Sequence, residues 1–149
     1  MKVYIAAPYV HAPVAELLAK GLAHEGHEVT SRWHRPKNVQ PVEAELQLTQ
    51  ENAKRILDEN NDDLYAAEVV CALGFVGGAE TYVEVGRARE RGTPVIWADL
   101  GGKVPLSARA EGVIVNRPVY APKFPSEVLF RMVIAVGQIQ ENYRSTSPT

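Results

Sequence analysis

The sequence predicts an α/β fold: a single domain built as a three-layer α/β/α sandwich around a parallel sheet of five strands. Short apolar runs alternate with helical patterns along the chain, an order typical of a parallel sheet covered by helices on both faces. The 149 residues are enough for one domain to bury roughly two-thirds of its unfolded surface. Contents of 46% hydrophobic and 23% charged residues are ordinary for a globular protein.

The amino-terminal part of the chain predicts two strands with a helix between them. The first strand is the short apolar run Val3–Ala6. Apolar residues then recur at helical spacing from Val14 to Leu22, and Gly26 is suited to end that helix. The second strand is predicted at Glu28–Ser31. A helix that joins two strands of one sheet makes a right-handed crossover between parallel strands. We therefore expect these two strands to be parallel.

The rest of the chain repeats this alternation up to its last few residues. A helix of about Thr49–Ala66 carries an apolar stripe, and a shorter helix that holds Glu84 ends near Gly92. The remaining predicted elements are strands at Glu68–Leu73, Pro94–Ala98 and Gly112–Val115 and a final helix at about Ser126–Tyr143. We therefore predict one domain over residues 1–144, flavodoxin-like or Rossmann-like in architecture, and a disordered tail over 145–149.

Composition and charge narrow the classes of partner. A net charge of −2 and a pI near 6.1 argue against binding a nucleic-acid polymer, which usually requires a basic face. Met1–Ile5 resembles a strand rather than a signal peptide, and no apolar run approaches ~20 residues, so no membrane partner is expected. Cys71 lies in an apolar stretch and is expected to be a buried thiol, consistent with a cytoplasmic location.

A glycine pair before a short helix is the strongest functional signal. Gly77 and Gly78 follow an apolar run, and glycine lets a backbone approach a ligand closely. The helix that follows carries Glu84, and the positive potential of a helix N-terminus is expected to keep this carboxylate ionised. A competing interpretation is a capping box, in which Thr81 caps the helix and Glu84 bonds back to it.

The helix predicted at 49–66 contains a second unusual feature. Its apolar stripe continues through positions 60 and 61, yet both are asparagine. A polar side chain on an inward face needs hydrogen-bond partners or costs about 1–3 kcal/mol. Asn60 is therefore either a structural asparagine, on a stripe that reaches the surface, or part of a site.

Ligands of parallel sheets bind beyond the carboxyl ends of the strands. Candidate binding residues at these ends are Ala7, Pro8, Tyr9, Trp33, His34, Gly77 and Gly78. Trp33 and His34 are suited to stack on a base, with an exposed loop as the alternative. Tyr4, inside the first strand, either reaches the site or fills the core.

No metal site is predicted. His24 and His27 resemble an H-x-x-H pair, but Gly26 ends the helix between them. The sequence has no phosphate-binding P-loop and no G-x-S-x-G nucleophile motif.

Several segments together resemble the nucleoside 2-deoxyribosyltransferase-like family, which includes deoxyribosyltransferases and 2'-deoxynucleotide N-hydrolases. The segments that carry the resemblance are Val3–Tyr9, Gly26–Trp33, Asp63–Val70, Gly77-Gly78, Val83–Ala88 and Gly92–Ile96. The resemblance implies a five-stranded parallel sheet and a small-molecule nucleoside or nucleotide substrate, with no metal or cofactor. It also implies a homodimer or a higher homo-oligomer with a shared active site, to which Asn116 is placed to contribute.

The same resemblance assigns chemistry to individual residues. Glu84 matches the family nucleophile, which attacks the sugar C1' and forms a covalent glycosyl-enzyme, and Tyr4 matches a tyrosine near the reacting centre. The chain departs from the family at one position: Asn60 stands eight residues before Glu68, where the family carries an aspartate thought to shuttle a proton to the leaving base. An asparagine cannot transfer a proton in this way.

Three alternatives remain from the sequence. Asn60, in place of the family aspartate, favours a non-catalytic nucleotide-binding protein of the same fold. The run from Gly77 to Glu84 also resembles the loop of cytokinin-activating phosphoribohydrolases, but Val76 and Glu80 replace a proline and a glycine of that loop. The third alternative is a structural or partner-binding domain in which Glu84 only caps a helix.

Overall fold

A parallel sheet forms the centre of the protein, in a computed structural model that describes residues 1–39, 48–111, 114–115 and 126–146. The strands are β1 Lys2–Ala6, β2 Glu28–Val29, β3 Val69–Gly74, β4 Val95–Asp99 and β5 Ile114–Val115. The α-helices are α1 Ala12–His24, α2 Gln50–Tyr65, α3 Ala79–Glu90, α4 Leu106–Glu111 and α5 Ser126–Thr146, and a short 3₁₀ turn spans Tyr9–His11.

All of the strands pair in parallel, in the order β2-β1-β3-β4-β5. The central strands are almost entirely buried, β3 at every position and β1 from Val3 to Ala6. The chain steps from β1 outward to β2 in one direction, and from β3 to β4 in the other. Right-handed crossovers in opposite directions lie on opposite faces, so α1 covers one face and α2 and α3 the other. The predicted α/β fold with a parallel sheet is confirmed.

One edge strand, β2, is shorter than predicted. The second strand was expected to extend to Ser31, but β2 ends at Val29. The backbone N–H of Thr30 still donates to Val3 O at 2.8 Å, whereas the N–H of Ile5 donates to the Ser31 hydroxyl at 3.2 Å. A side chain therefore replaces the backbone ladder beyond Thr30. At the other edge, β5 begins at Ile114, and the predicted residues 112–113 lie outside the described part.

Helix α2 differs from its prediction in what its apolar stripe contacts. Thr49 caps the helix by accepting a hydrogen bond from the Asn52 N–H at 3.2 Å. Only two of its residues, Asp63 and Leu64, are buried, and Leu57 is 37% exposed. The middle of the stripe faces a cavity instead of the core, as described below.

The final helix and the short helix α4 also differ from expectation. Helix α5 continues to Thr146 and so includes the first two residues of the predicted tail, and residues 147–149 lie outside the described part. Helix α4 follows β4 and had no clear sequence signal. Within the described ranges, no helix combines the length and the apolar character needed to cross a bilayer.

Candidate functional site

A cavity of about 700 Å³ opens at the carboxyl ends of β1 and β3. This is where the strand order reverses, the usual ligand position in a doubly wound sheet, and the volume suits a ligand of nucleoside size. Sequence-predicted residues that line it are Ala7, Pro8, Tyr9, Trp33, Asn60, Gly78 and Glu84. The structure thus brings together residues from the segment after β1, the loop after β2, α2 and the start of α3.

The glycine pair forms the turn that starts α3. Gly77 and Gly78 have φ values of +89° and +76°, which L side chains rarely adopt. Gly78 is the N-cap of the helix and lines the cavity, whereas Gly77 precedes it and does not belong to the lining. Gly77 therefore serves the turn rather than the cavity wall.

The capping-box interpretation of Glu84 is wrong. Because Gly78 is the N-cap, Thr81 is the third helical residue and Glu84 lies in the second turn, beyond the reach of a capping residue. The Thr81 hydroxyl is buried and has no hydrogen-bond partner among the described residues. The carboxylate is thus free of a capping role.

Burial in the cavity wall raises the pKa of Glu84 from its ordinary 4.5 to about 7. The nearby charge of Glu80 raises this pKa too, while the Tyr4 hydroxyl and the Arg87 guanidinium lower it. Burial thus opposes the expected effect of the helix N-terminus, which was to keep this carboxylate ionised. Near neutral pH, Glu84 exchanges between its two protonation states.

Tyr4 lies directly behind Glu84. It is fully buried in β1, and its pKa is raised well above 10, first by burial and then by the negative charge of Glu84. The two groups interact electrostatically, yet neither the Tyr4 hydroxyl nor Glu84 Oε2 has a hydrogen bond of ordinary geometry within the described residues. Tyr4 does not line the cavity, and its ring fills the core. Its hydroxyl interacts with the Glu84 carboxylate from the core side.

Two neighbouring asparagines of α2 face the cavity from the opposite side. Asn60 is half-buried, and Asn61 accepts a hydrogen bond from Arg87 Nη1 at 2.9 Å. The apolar stripe around them, Ala53, Ile56 and Leu57, lines the cavity too. This explains why the stripe carries polar residues: it faces a space large enough for a ligand.

Asp63 is the nearest acidic residue to these asparagines on the inner side of α2, and its carboxylate is paired with Arg32. Arg32 Nε lies 3.0 Å from both of its carboxylate oxygens, and the Arg32 backbone N–H donates to Oδ2 at 3.2 Å. Asp63 is absent from the cavity lining. It therefore does not replace the aspartate that the family resemblance leads one to expect at position 60.

Trp33 and Tyr9 form an aromatic wall. Trp33 Nε1 donates to Ile5 O at 2.8 Å, and the two ring centroids are 5.5 Å apart. This hydrogen bond ties the wall to the strand that carries Tyr4.

His34 was predicted to share that wall, and this prediction is wrong. Its side chain is fully buried, with Nε2 2.7 Å from Ser31 Oγ and Nδ1 2.8 Å from Glu16 Oε1. Because the Glu16 carboxylate can only accept, His34 Nδ1 donates to it, and in a neutral ring Nε2 then accepts from the Ser31 hydroxyl. Burial lowers the pKa of His34 below 6.5, in keeping with a neutral ring. The histidine supports the loop and does not face the cavity.

Sequence reasoning missed several lining residues. Glu80 and Lys54 bring charges to the cavity, and Thr81, Leu48 and Gln50 complete parts of its wall. The position of Glu80, four residues before Glu84 on one helix face, was an available signal. The predicted residue Asn116 lies outside the described residues.

The histidine pair near the amino terminus has a structural partner. His27 is buried, with Nδ1 3.2 Å from the amino-terminal nitrogen of Met1. Over the described ranges, no three His, Cys, Asp or Glu side chains form a group able to hold a metal ion.

Comparison with known proteins finds solved structures of similar fold. No protein-family model and no curated protein matches the sequence. The 2-deoxyribosyltransferase of the psychrotolerant bacterium Bacillus psychrosaccharolyticus is similar in structure, at 17% identity over 87% of this chain and 96% of that one, with a TM-score of 0.55. Clostridium botulinum CMP N-glycosidase, BcmB, is similar at 18% identity over 90% and 98%, with a TM-score of 0.56. At these identities the likeness shows the fold alone, and it supports the predicted family resemblance at that level.

Proposed function

We propose that this protein cleaves or transfers the N-glycosidic bond of a 2'-deoxynucleoside or its 5'-monophosphate, through a covalent glycosyl-enzyme on Glu84. The observation that carries this proposal is the placement of Glu84: a carboxyl group in the wall of a nucleoside-sized cavity, backed by a buried phenol. The two enzymes of similar fold, named a 2-deoxyribosyltransferase and a CMP N-glycosidase, support the same class of reaction.

The proposed reaction has two displacements at the sugar C1'. An ionised Glu84 oxygen bonds to C1', the C1'–N bond breaks, and its electron pair leaves with the base, which takes a proton from water. Water or a second base then attacks C1' and loses a proton to solvent, and the C1'–O bond to Glu84 breaks to release the carboxylate. A pKa of about 7 provides a useful fraction of the ionised nucleophile near neutral pH.

The other lining residues have distinct proposed roles. Tyr4 stabilises and positions the Glu84 carboxylate. Trp33 and Tyr9 offer aromatic surface to the base, for which stacking contributes about 1–3 kcal/mol in comparable sites. Asn60 holds the substrate by hydrogen bonds, and the backbone at Gly78 faces the sugar. A cytoplasmic homodimer in which Asn116 completes the partner's site remains part of this proposal.

Base release is the experiment that tests the function. Purified protein is incubated with 2'-deoxynucleosides and their 5'-monophosphates, with and without a second free base, beside Glu84→Gln and the exposed control Glu90→Gln. We expect release or exchange that Glu84→Gln abolishes and Glu90→Gln retains. A glycosyl adduct on Glu84, found by mass spectrometry of the quenched reaction, identifies the nucleophile. Equal turnover by wild type and Glu84→Gln contradicts the proposal.

A non-catalytic nucleotide-binding protein is the second candidate, and Asn60 is the observation that favours it. Asn60→Asp separates the two. If the enzyme is adapted to asparagine, we expect the aspartate variant to lose activity, because a further negative charge raises the pKa of Glu84. A gain of activity from an inactive wild type supports the binding protein instead.

A further inference from the structure

We propose that Glu80 makes the cavity selective for uncharged nucleosides over nucleoside 5'-monophosphates. This inference rests on the proposed function and deepens it, because it chooses between two substrate classes. It also identifies a specificity-determining residue outside the predicted catalytic set.

Glu80 and Glu84 lie on the same face of α3, one helical turn apart, and both line the cavity. Glu84 lies in the wall, while Glu80 is exposed in the first turn of the helix. The charge of Glu80 is felt inside the cavity, since it is one of the causes that raise the pKa of Glu84. A substrate phosphate near the start of α3 experiences the same negative charge.

The helix N-terminus by itself favours an anion, so the two effects must be weighed. Aligned peptide dipoles act as roughly half a positive charge at the start of a helix. Glu80 places a full negative charge there, and the Thr81 N–H already donates to Gly78 O at 3.1 Å. The start of α3 therefore presents net negative charge to the cavity.

Neighbouring cations do not reverse this balance. Lys54 is the cationic side chain in the described lining, and its Nζ lies 2.8 Å from Asp58 Oδ2. The Arg87 guanidinium donates to Asn61, and its charge acts on Glu84, three residues earlier in the helix, whose pKa it lowers. The positive charges of Lys54 and Arg87 therefore already interact with an acidic and a polar side chain, respectively.

The same carboxylate suits a neutral sugar. Glu80 can accept a hydrogen bond from a hydroxyl group, and such bonds to a charged acceptor are stronger than neutral ones. A phosphate dianion has no proton to donate to Glu80, and the two negative charges repel each other. Repulsion of this kind is one way in which specific sites reject close analogues.

The test compares one 2'-deoxynucleoside with its 5'-monophosphate on wild type, Glu80→Gln, Glu80→Lys and the control Glu90→Gln, which carries the same change at the far end of α3. The measured quantity is the ratio of kcat/KM for the two substrates. This ratio is independent of the ionisation of Glu84 when both substrates use the same nucleophile. The ratio of their dissociation constants is measured in parallel, so the inference is tested even without turnover.

We expect wild type to prefer the nucleoside and Glu80→Gln to shift the ratio about tenfold toward the monophosphate, as one like charge at close range predicts. Glu80→Lys is expected to shift it further, Glu90→Gln not at all, and added salt to weaken the wild-type preference. A ratio unchanged in Glu80→Gln and Glu80→Lys overturns the inference and leaves the proposed function standing. Selective binding without turnover supports the inference and contradicts the proposed reaction, and binding of neither compound contradicts both.

Discussion

Gly78 and Pro8 are in such close contact that a Cβ atom on Gly78 would lie 2.5 Å from Pro8 Cγ. Pro8 follows β1, and Gly78 starts the helix that carries Glu84. The contact therefore fixes the distance between the two strand ends that form the floor of the cavity. It also explains why a glycine is required there for two independent reasons, the positive φ and the space.

Substituting the two glycines separates these reasons. Gly77→Ala introduces a side chain at positive φ with open space around it, so we expect a loss of about 1–2 kcal/mol of unfolding free energy. Gly78→Ala adds the clash with Pro8 and is expected to destabilise more and to displace Glu84, with loss of base release. Urea unfolding and turnover of both variants check this. Equal stability and equal turnover in the two variants would show that the contact is unimportant.

The raised pKa of Glu84 predicts how its removal changes stability with pH. Its folded pKa of about 7 exceeds the ordinary 4.5, so this group stabilises the fold below pH 4.5, and that contribution is lost as the pH rises through 7. Glu84→Gln cannot ionise. We expect its stability relative to wild type to increase between pH 5 and pH 8 by at most about 3 kcal/mol. Chemical denaturation at several pH values measures this, and a difference independent of pH contradicts it.

The chain Ile5–Ser31–His34–Glu16 predicts a positioning effect on the aromatic wall. Ser31→Ala removes the acceptor of the Ile5 N–H and the donor to His34, leaving buried groups unpaired at a cost of about 2 kcal/mol. Because Trp33 adjoins this chain, we also expect weaker nucleoside binding.

Ser145→Ala is the matched control for this change. The Ser145 hydroxyl also makes a hydrogen bond, to Asn142 O at 2.9 Å, but on an exposed helix end. We expect it to alter stability by no more than about 0.5 kcal/mol and binding not at all. Denaturation and Trp fluorescence titration with a 2'-deoxynucleoside measure both variants. Equal effects of the two substitutions would show that the hydrogen-bond chain does not position the aromatic wall.

The order of the strands and of the longer helices, and the edge of the sheet that holds the cavity, could be predicted because both follow from hydrophobic periodicity and parallel topology. Glu84 could be selected because Gly77 and Gly78 precede it. Its protonation could not, since this depends on how deeply tertiary packing buries the carboxyl group over Tyr4.

Other parts of the site depend on partners distant in sequence. The role of His34 is set by Glu16 on α1, which no local pattern connects to it. The apolar stripe of α2 is the same in sequence whether it faces the core or a cavity. Hydropathy measures how strongly a side chain prefers to leave water. It does not tell whether the side chain then packs against the protein core or against a ligand.

Tyr4→Phe tests whether the phenol acts on Glu84 or only fills the core. Tyr4 lowers the pKa of Glu84, so its loss is expected to raise that pKa above 7. If the ionised carboxylate attacks C1', kcat/KM rises with pH through the free enzyme's pKa, and in Tyr4→Phe this rise moves to higher pH. The fold is expected to tolerate the change, because the removed hydroxyl is buried without a hydrogen-bond partner of ordinary geometry in the described part of the chain. Tyr65→Phe, at the end of α2, serves as the control: its ring is 40% exposed and contacts the Arg91 guanidinium, and the change is expected to leave the profile unchanged. A pH profile of kcat/KM for base release checks both, and a Tyr4→Phe midpoint equal to that of wild type would reduce Tyr4 to a packing residue.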